Sequence, residues 1–218
     1  MEQFVPLEVT VWGDLACFTR PEAKVERVSY AVMTPSAARG VLEAIYWKPE
    51  VAWQVREIWV LRPVRYLSIR RNEINTRQSE RAARGWLAAG AGGYDAAEDR
   101  AQRHTLALRD VAYRLRADLT LRPGVTDPIA KHRDQFRRRV ERGQAHHQPY
   151  LGCREFAAFF AEPDPAEHPI DASEDLGLML FDLAYAPDGS GRGRPRFFAA
   201  RLERGVLRVP AELYATEG

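Results

Sequence analysis

Twice along this chain, a strand-like alternation of apolar and polar residues leads to a capping residue, a proline and apolar positions at helical spacing. No other feature limits the fold as much. In the first occurrence Val5, Leu7, Val9 and Val11 alternate with Pro6, Glu8 and Thr10, the period of a half-buried strand. Thr34-Pro35 then sets an N-cap residue before a proline at the first helical position. Ala38, Val41, Leu42 and Ile45 follow on one face, and Pro49 lies just past the end at Tyr46. In the second occurrence, within residues 104–121, Leu115, Ala117, Leu119 and Leu121 alternate with Arg114, Arg116, Asp118 and Thr120. Asp127-Pro128 repeats the cap, and Ile129, Arg133, Phe136 and Val140 carry a helix to about Gly143.

Residues 51–69 read as one long strand or a pair broken near Pro63. Residues 70–104, with Arg70, Arg71, Arg77, Arg81 and Arg84 followed by a Gly/Ala-rich run, lack clear periodicity and read as a mobile loop. A strand over 177–185, a loop over 187–195 and a hairpin of 197–202 with 206–209 close the chain. Strand, helix, strand, then strand, helix, strand predicts an α+β fold with a ferredoxin-like (RRM-like) core and a small C-terminal antiparallel β-sheet extension. The predicted division is a main domain over 1–156 and an extension over 157–218.

A chain of 218 residues with 45% apolar content can bury one sizeable core. No apolar run approaches the ~20 residues that span a bilayer, and the N-terminus lacks a signal-peptide pattern, so a soluble cytoplasmic protein with no membrane partner is expected. The net charge of +2 is unevenly distributed. Residues 155–191 carry −9, residues 192–218 carry +3, and residues 1–154 carry +8. A basic N-terminal two-thirds followed by an acidic segment suits a polyanion binder with one face turned elsewhere.

Lys131-His132, near the start of a basic helix, sets an ammonium beside a group that titrates near neutrality. Cleavage of RNA by its own 2′-hydroxyl needs a base for the 2′ proton, an acid for the departing 5′ oxygen and a cation for the charge between them. A Lys-His pair on a helix surface is more often inert, and the basic residues Arg133, Arg137 and Arg138 are RNA-binding candidates whose plain alternative is a solvated helix face. Tyr46 offers a phenol, or simply packing at a helix end. Trp47 and Lys48 suit a base and a phosphate, and His146 and His147 lie in a turn-rich loop where they are candidates for RNA contact, His147 among the RNA-binding residues. Arg70 and Arg71 are RNA-binding candidates on charge alone. The chain has only three lysines, Lys24, Lys48 and Lys131, beside 29 arginines. Cys17 and Cys153 form no zinc framework, and no recognised spacing unites His104, His146, His147 and Cys153. Neither a metal nor another cofactor is expected. There is no Walker A, Rossmann or nucleophile-elbow motif, and no two-metal acidic cluster.

Several segments together resemble the CRISPR-associated RNA-processing subunit of type I-C systems, a branch of the repeat-associated RAMP superfamily. They are Val11-Trp-Gly-Asp-Leu-Ala-Cys-Phe-Thr19, the run from Ser29 through Thr34-Pro-Ser-Ala-Ala-Arg-Gly40 to Pro49, Leu108-Arg-Asp-Val-Ala-Tyr113, Lys131-His132 with Gly143-Gln144, Pro149-Tyr-Leu-Gly-Cys-Arg-Glu-Phe156, and Pro195-Arg-Phe-Phe198. Ala145-His146 stands where that family often has Cys-Phe. The resemblance implies a metal-independent endoribonuclease that cuts precursor CRISPR RNA within the repeat, at the 3′ base of the hairpin, leaving a 2′,3′-cyclic phosphate and a 5′-hydroxyl. It further implies retention of the mature crRNA 5′ handle beside the backbone and large subunits of a surveillance complex, with duplex DNA a further candidate ligand. The family's catalytic tyrosine, lysine and histidine fall on Tyr46, Lys131 and His132. A crRNA-handle-binding subunit that does not cut, and a non-specific nucleic-acid-binding module, are the competing readings.

Overall fold

Strand β5 (Arg100–Leu121) is the spine of the computed structural model, which describes residues 4–23, 25–185 and 193–215. Along one edge of this 22-residue strand run β1 (Leu7–Ala16), antiparallel, and then β2 (Arg27–Val28), parallel. Along the other run β3 (Val51–Val60) and then β4 (Tyr66–Ile74), both antiparallel. The handover from β3 to β4 falls at residues 61–65, around Pro63, where β5 turns through Asp110 at φ 55. An aspartate tolerates this left-handed conformation, and its carboxylate takes ion pairs from Arg62 and Arg65, which bracket Pro63.

β6 (Phe159–Ala161) extends the sheet beyond β1, while β9 (Val206–Arg208), β8 (Gly193–Glu203) and β7 (Glu174–Tyr185) extend it beyond β3. The C-terminal hairpin is therefore continuous with the central sheet. Arg204 and Gly205, at φ 47 and 73, form its two-residue turn, whose twist matches the flanking strands. The molecule is a mixed α/β protein with a nine-stranded, largely antiparallel sheet, and among the described residues no helix is long and apolar enough to cross a membrane.

Helices α1 (Pro35–Ile45) and α3 (Ile129–Glu141) pack against each other and the sheet. The Thr34 side chain caps α1 by accepting from the Ala37 amide at 3.2 Å, and Ala38, Val41, Leu42 and Ile45 are all buried, as their spacing predicts. Phe136 of α3 meets Trp53 of β3 edge-on, ring centroids 4.8 Å apart, which locks α3 over the start of β3.

Three expectations are corrected. Residues 70–104 are not a loop: β4 continues to Ile74, α2 spans Glu80–Ala89, and β5 begins at Arg100. Ser79 caps α2 by accepting from the Ala82 amide at 3.1 Å, and Gly90 ends it at φ 61. Yet α2 buries no residue and β4 is exposed along most of its length, so neither leaves the apolar periodicity that sequence reading detects. Secondly, Asp127 is not the cap of α3. Pro128 holds that position, with no side-chain cap, and Asp127 is engaged elsewhere. Thirdly, Arg133 does not face solvent. Lys24 and most of the predicted 187–195 loop lie outside the described residues.

Candidate active site

Tyr46 ends α1, its amide still bonded to the Leu42 carbonyl while its own backbone is extended at φ −143 and ψ 111. From there side chains alternate. Tyr46, Lys48 and Glu50 line one cavity, and Trp47 lies outside that lining. The Trp53 indole donates to the Tyr46 carbonyl at 3.0 Å, and Arg139 donates to the Ile45 carbonyl at 2.6 Å, which ties this turn to β3 and α3.

The first turn of α3 supplies the rest. His132 is 2% exposed and Tyr46 3%, and the Tyr46 hydroxyl lies 2.8 Å from His132 Nδ1, across 86 positions of sequence. His132 Nε2 is buried with no hydrogen-bond partner, 3.6 Å from Asp127 Oδ2. That carboxylate also holds Lys131 Nζ at 2.7 Å, and the Lys131 side chain is 65% exposed. The Arg139 guanidinium sits over the Tyr46 ring at 5.4 Å. The cavity enclosed by these groups, with Gln135, has a volume of about 360 Å³.

The electrostatics follow from burial and pairing. Burial pushes the Tyr46 phenol above its ordinary value, against the opposing pull of Arg139 and Lys131, so Tyr46 is protonated at neutral pH. The bond to Asp127 raises the Lys131 ammonium, and the same bond lowers Asp127. The cavity thus holds a protonated phenol, an imidazole with one nitrogen unpaired, the three cations Lys48, Lys131 and Arg139, and the carboxylates of Glu50 and Asp127.

The structure brings Tyr46, Lys131 and His132 together. Lys48 is on the cavity wall, and Arg138 bonds Gln135 at its rim. Arg137 is exposed on α3, paired to Asp134 at 3.1 Å. Trp47 and His147 flank the site, His147 through its amide on the Ala44 carbonyl. Arg133, expected to meet RNA, is instead 3% exposed, donates to the Val5 carbonyl and lies over the Phe4 ring. It occupies the apolar stripe of α3, and Phe4 and Val5, just before β1, cover it. Arg70 and Arg71 pair with His104 and Arg103 of β5, roughly 60 Å along the strand from Leu121 beside the site, at ~3.3 Å per residue. Arg71 is also engaged by Glu73 and Glu155.

Sequence reading missed Asp127, Gln135, Arg139 and Glu50. The signals were there: Asp127 precedes Lys131 by one helical turn, Gln135 and Arg139 continue the Lys131 face at successive turns, and Glu50 shares the Tyr46 and Lys48 side.

A buried phenol–imidazole pair beside cations defines a class of site, one equipped for general acid–base chemistry on a phosphate ester. The chain belongs to the family described as CRISPR-associated protein (Cas_Cas5), whose profile matches residues 7–210. It is 48% identical over 223 residues to the CRISPR pre-crRNA endoribonuclease Cas5d of Thermus thermophilus, covering 95% of this chain and 93% of that one. It is 44% identical over 224 residues to the protein of the same name from Mannheimia succiniciproducens, covering 97% of each. A crystal structure described as a CRISPR-associated protein shares the fold, with a TM-score of 0.69 and 23% identity over 98% of this chain and 95% of that one.

Proposed function

We propose that this protein is a precursor CRISPR RNA endoribonuclease that cuts at the 3′ base of the repeat hairpin, without a metal ion, and retains the 5′ handle of the product. The observation that carries the proposal is the 2.8 Å contact between Tyr46 and His132 in a cavity walled by Lys131 and Arg139, in a chain nearly half identical to named enzymes of this activity. The strand order β6-β1-β5-β3, with α1 and α3 as crossovers, supports a ferredoxin-like core that takes in β6 at Phe159–Ala161 and so runs just past the expected boundary at 156, with the strands after it as the extension.

The geometry favours one division of labour. With the proton of His132 on Nδ1, donated to the Tyr46 oxygen, Nε2 is free to accept the 2′ proton of the nucleotide at the cut. The 2′ oxygen then bonds to phosphorus. The phosphorus–5′ oxygen bond breaks, and the Tyr46 hydroxyl delivers its proton to the departing oxygen. The resulting phenolate is adjacent to the His132 imidazolium, Lys131 and Arg139, the last two being the cations that already pull its pKa downward. Transfer of the Nδ1 proton across the 2.8 Å contact returns Tyr46 to a phenol and His132 to a neutral imidazole now protonated on Nε2, leaving a 2′,3′-cyclic phosphate and a 5′-hydroxyl, and proton exchange with water after product departure resets the tautomer. Lys131 stabilises the phosphorane, and Asp127 acts as a positioning residue that holds Lys131 and faces Nε2. Each proton-transfer role is worth about 10²- to 10⁴-fold. Lys48 on the cavity wall and the exposed Arg137 and Arg138 on α3 extend the positive surface around the cut and suit the mature crRNA or duplex DNA. The backbone and large subunits of a type I-C surveillance complex are the proposed protein partners.

The test is cleavage, in excess EDTA, of an end-labelled repeat RNA and of the same RNA with one 2′-deoxy substitution at the cut. Wild type is expected to cut only the all-ribose RNA and leave a cyclic phosphate, while His132→Ala binds without cutting. Binding without cleavage by wild type would replace the enzyme with a crRNA-binding cap, and cleavage of the 2′-deoxy RNA would remove the 2′-hydroxyl mechanism.

A further inference from the structure

The backbone from Tyr46, itself extended, to Lys48 is a ridge with different chemistry on its two sides. Tyr46 and Lys48 line the cavity, while Trp47, between them, lies outside that lining and is 50% exposed. There it meets His146, ring centroids 6.4 Å apart and planes inclined by only 22°. His147 adjoins His146 at 5.9 Å, inclined by 57°. An indole with half its surface in water is costly unless something covers it, because burying such a ring is among the larger apolar gains open to a side chain.

The pair is not free to collapse. The amides of His146 and His147 both donate to the Ala44 carbonyl, at 2.7 and 3.2 Å, which pins the loop after α3 to the last turn of α1. The same turn is held from the other side by the Arg139 bond to the Ile45 carbonyl. Trp47 and His146 are therefore held by the same short piece of backbone that positions Tyr46. The Trp47 ring, one residue from the Tyr46 phenol and facing His146, stands beside the cavity where the scissile phosphate would bind. Successive nucleotides of an extended RNA strand place base and phosphate on opposite sides of such a ridge.

We infer that Trp47 and His146 form a stacking subsite for an unpaired nucleobase next to the scissile phosphate, so that the enzyme selects a nucleotide splayed out of the repeat hairpin at its base. This rests on the reading of the cavity as a site of RNA cleavage and adds to it a base-recognition element. Stacking does not discriminate strongly among bases, since each presents a π-face, so the subsite selects for an unpaired nucleotide rather than for its identity. It also gives His146 a role separate from any proton transfer.

The experiment uses the full chain and repeat RNAs carrying 2-aminopurine, or an abasic residue, at either nucleotide flanking the cut. With the cleavage-deficient His132→Ala protein, 2-aminopurine fluorescence is expected to be quenched on binding at one of the two positions, and Trp47→Ala in that background is expected to abolish the quench. In single-turnover cleavage, Trp47→Ala and the abasic residue at that position should each slow the reaction by about ten- to a hundredfold. Combined, they should cost no more than either alone, and Trp47→Phe should restore most of the rate. Quenching at neither position, or two losses that multiply, overturns the subsite. RNA that wild type binds with the quench but does not cut overturns the enzymatic reading while leaving the stacking subsite in place. Absence of binding overturns both.

Discussion

The two ends of β5 differ in how they are held. At the Leu121 end, α1 and α3 close over the sheet, and Tyr46 and His132 are almost fully buried among side chains that fix them from several directions. At the Arg100 end, β4, α2 and β5 form an arm whose strands are joined by a long backbone ladder, while α2 buries nothing and Leu87 is 83% exposed. The first region is determined by packing, the second by backbone hydrogen bonds and caps. A catalytic constellation needs the first kind of support, because a small displacement of either partner removes the contact between phenol and imidazole. An arm supported in the second way keeps its shape locally with few apolar contacts: Trp86 is half-buried against Gly92 and Ile69 packs on the core, while Leu87 stays exposed.

The sharpest way to break this contrast is through cleavage. Tyr46→Phe deletes one hydroxyl from a packed ring and is expected to lower single-turnover cleavage of repeat RNA by about 10²- to 10⁴-fold, with RNA affinity nearly unchanged. Arg70→Ala, on the arm, is expected to leave the cleavage step unaltered and to change only the salt dependence of binding. Comparable losses of the cleavage step from the two variants would erase the distinction between the ends. Stability gives the next largest difference. Phe136→Ala, which removes a buried ring against Trp53, is expected to cost about 3–5 kcal/mol in urea unfolding, whereas Leu87→Ala should stay within about 0.5 kcal/mol. A large cost at Leu87 would mean that the arm has a core of its own.

The same contrast explains what could be read from the sequence. β1, α1, α3 and the second half of β5 have one buried face each, so their apolar periods and caps announce them. β4 and α2 have no such face, and only Ser79 and Gly90 mark the limits of α2. Within the site, Lys131-His132 hints at acid–base chemistry, but such a pair is more often inert on a helix surface, and it is the family resemblance that singles out Tyr46, Lys131 and His132 together. The Tyr46 to His132 contact was not legible, because it depends on α1 and α3 meeting over the sheet. Asp127 looked like a helix cap because a carboxylate before Pro128 is a good one, but Lys131 one turn on competes for it and holds it. Arg133 fell on the apolar stripe of α3 by its spacing. Its charge argued for solvent, and the distant partners that satisfy it indoors, Phe4 and the Val5 carbonyl, carry no local signal.

Between the two ends lies a junction that provides the smallest and most local prediction. Arg27, beside β5, and Arg71, from the arm, converge on Glu155, and Arg27 Nη1 also reaches Cys153 Sγ at 3.5 Å. A hydrogen bond with Cys17, together with the Arg27 charge, holds the Cys153 thiol down to about 6, while the same bond and burial push Cys17 upward. A thiol lowered in this way is deprotonated above that pH, and the thiolate is the nucleophile. Alkylation of Cys153 by iodoacetamide, followed by mass spectrometry, should therefore rise through about pH 6 and level off, with Cys17 unmodified. Arg27→Gln should move that midpoint upward and Arg71→Gln should not, because Arg71 bonds Glu155 rather than the sulfur. If both substitutions shift the midpoint equally, the arm is electrostatically coupled to the packed end through Glu155, and the two regions are less independent than their burial indicates.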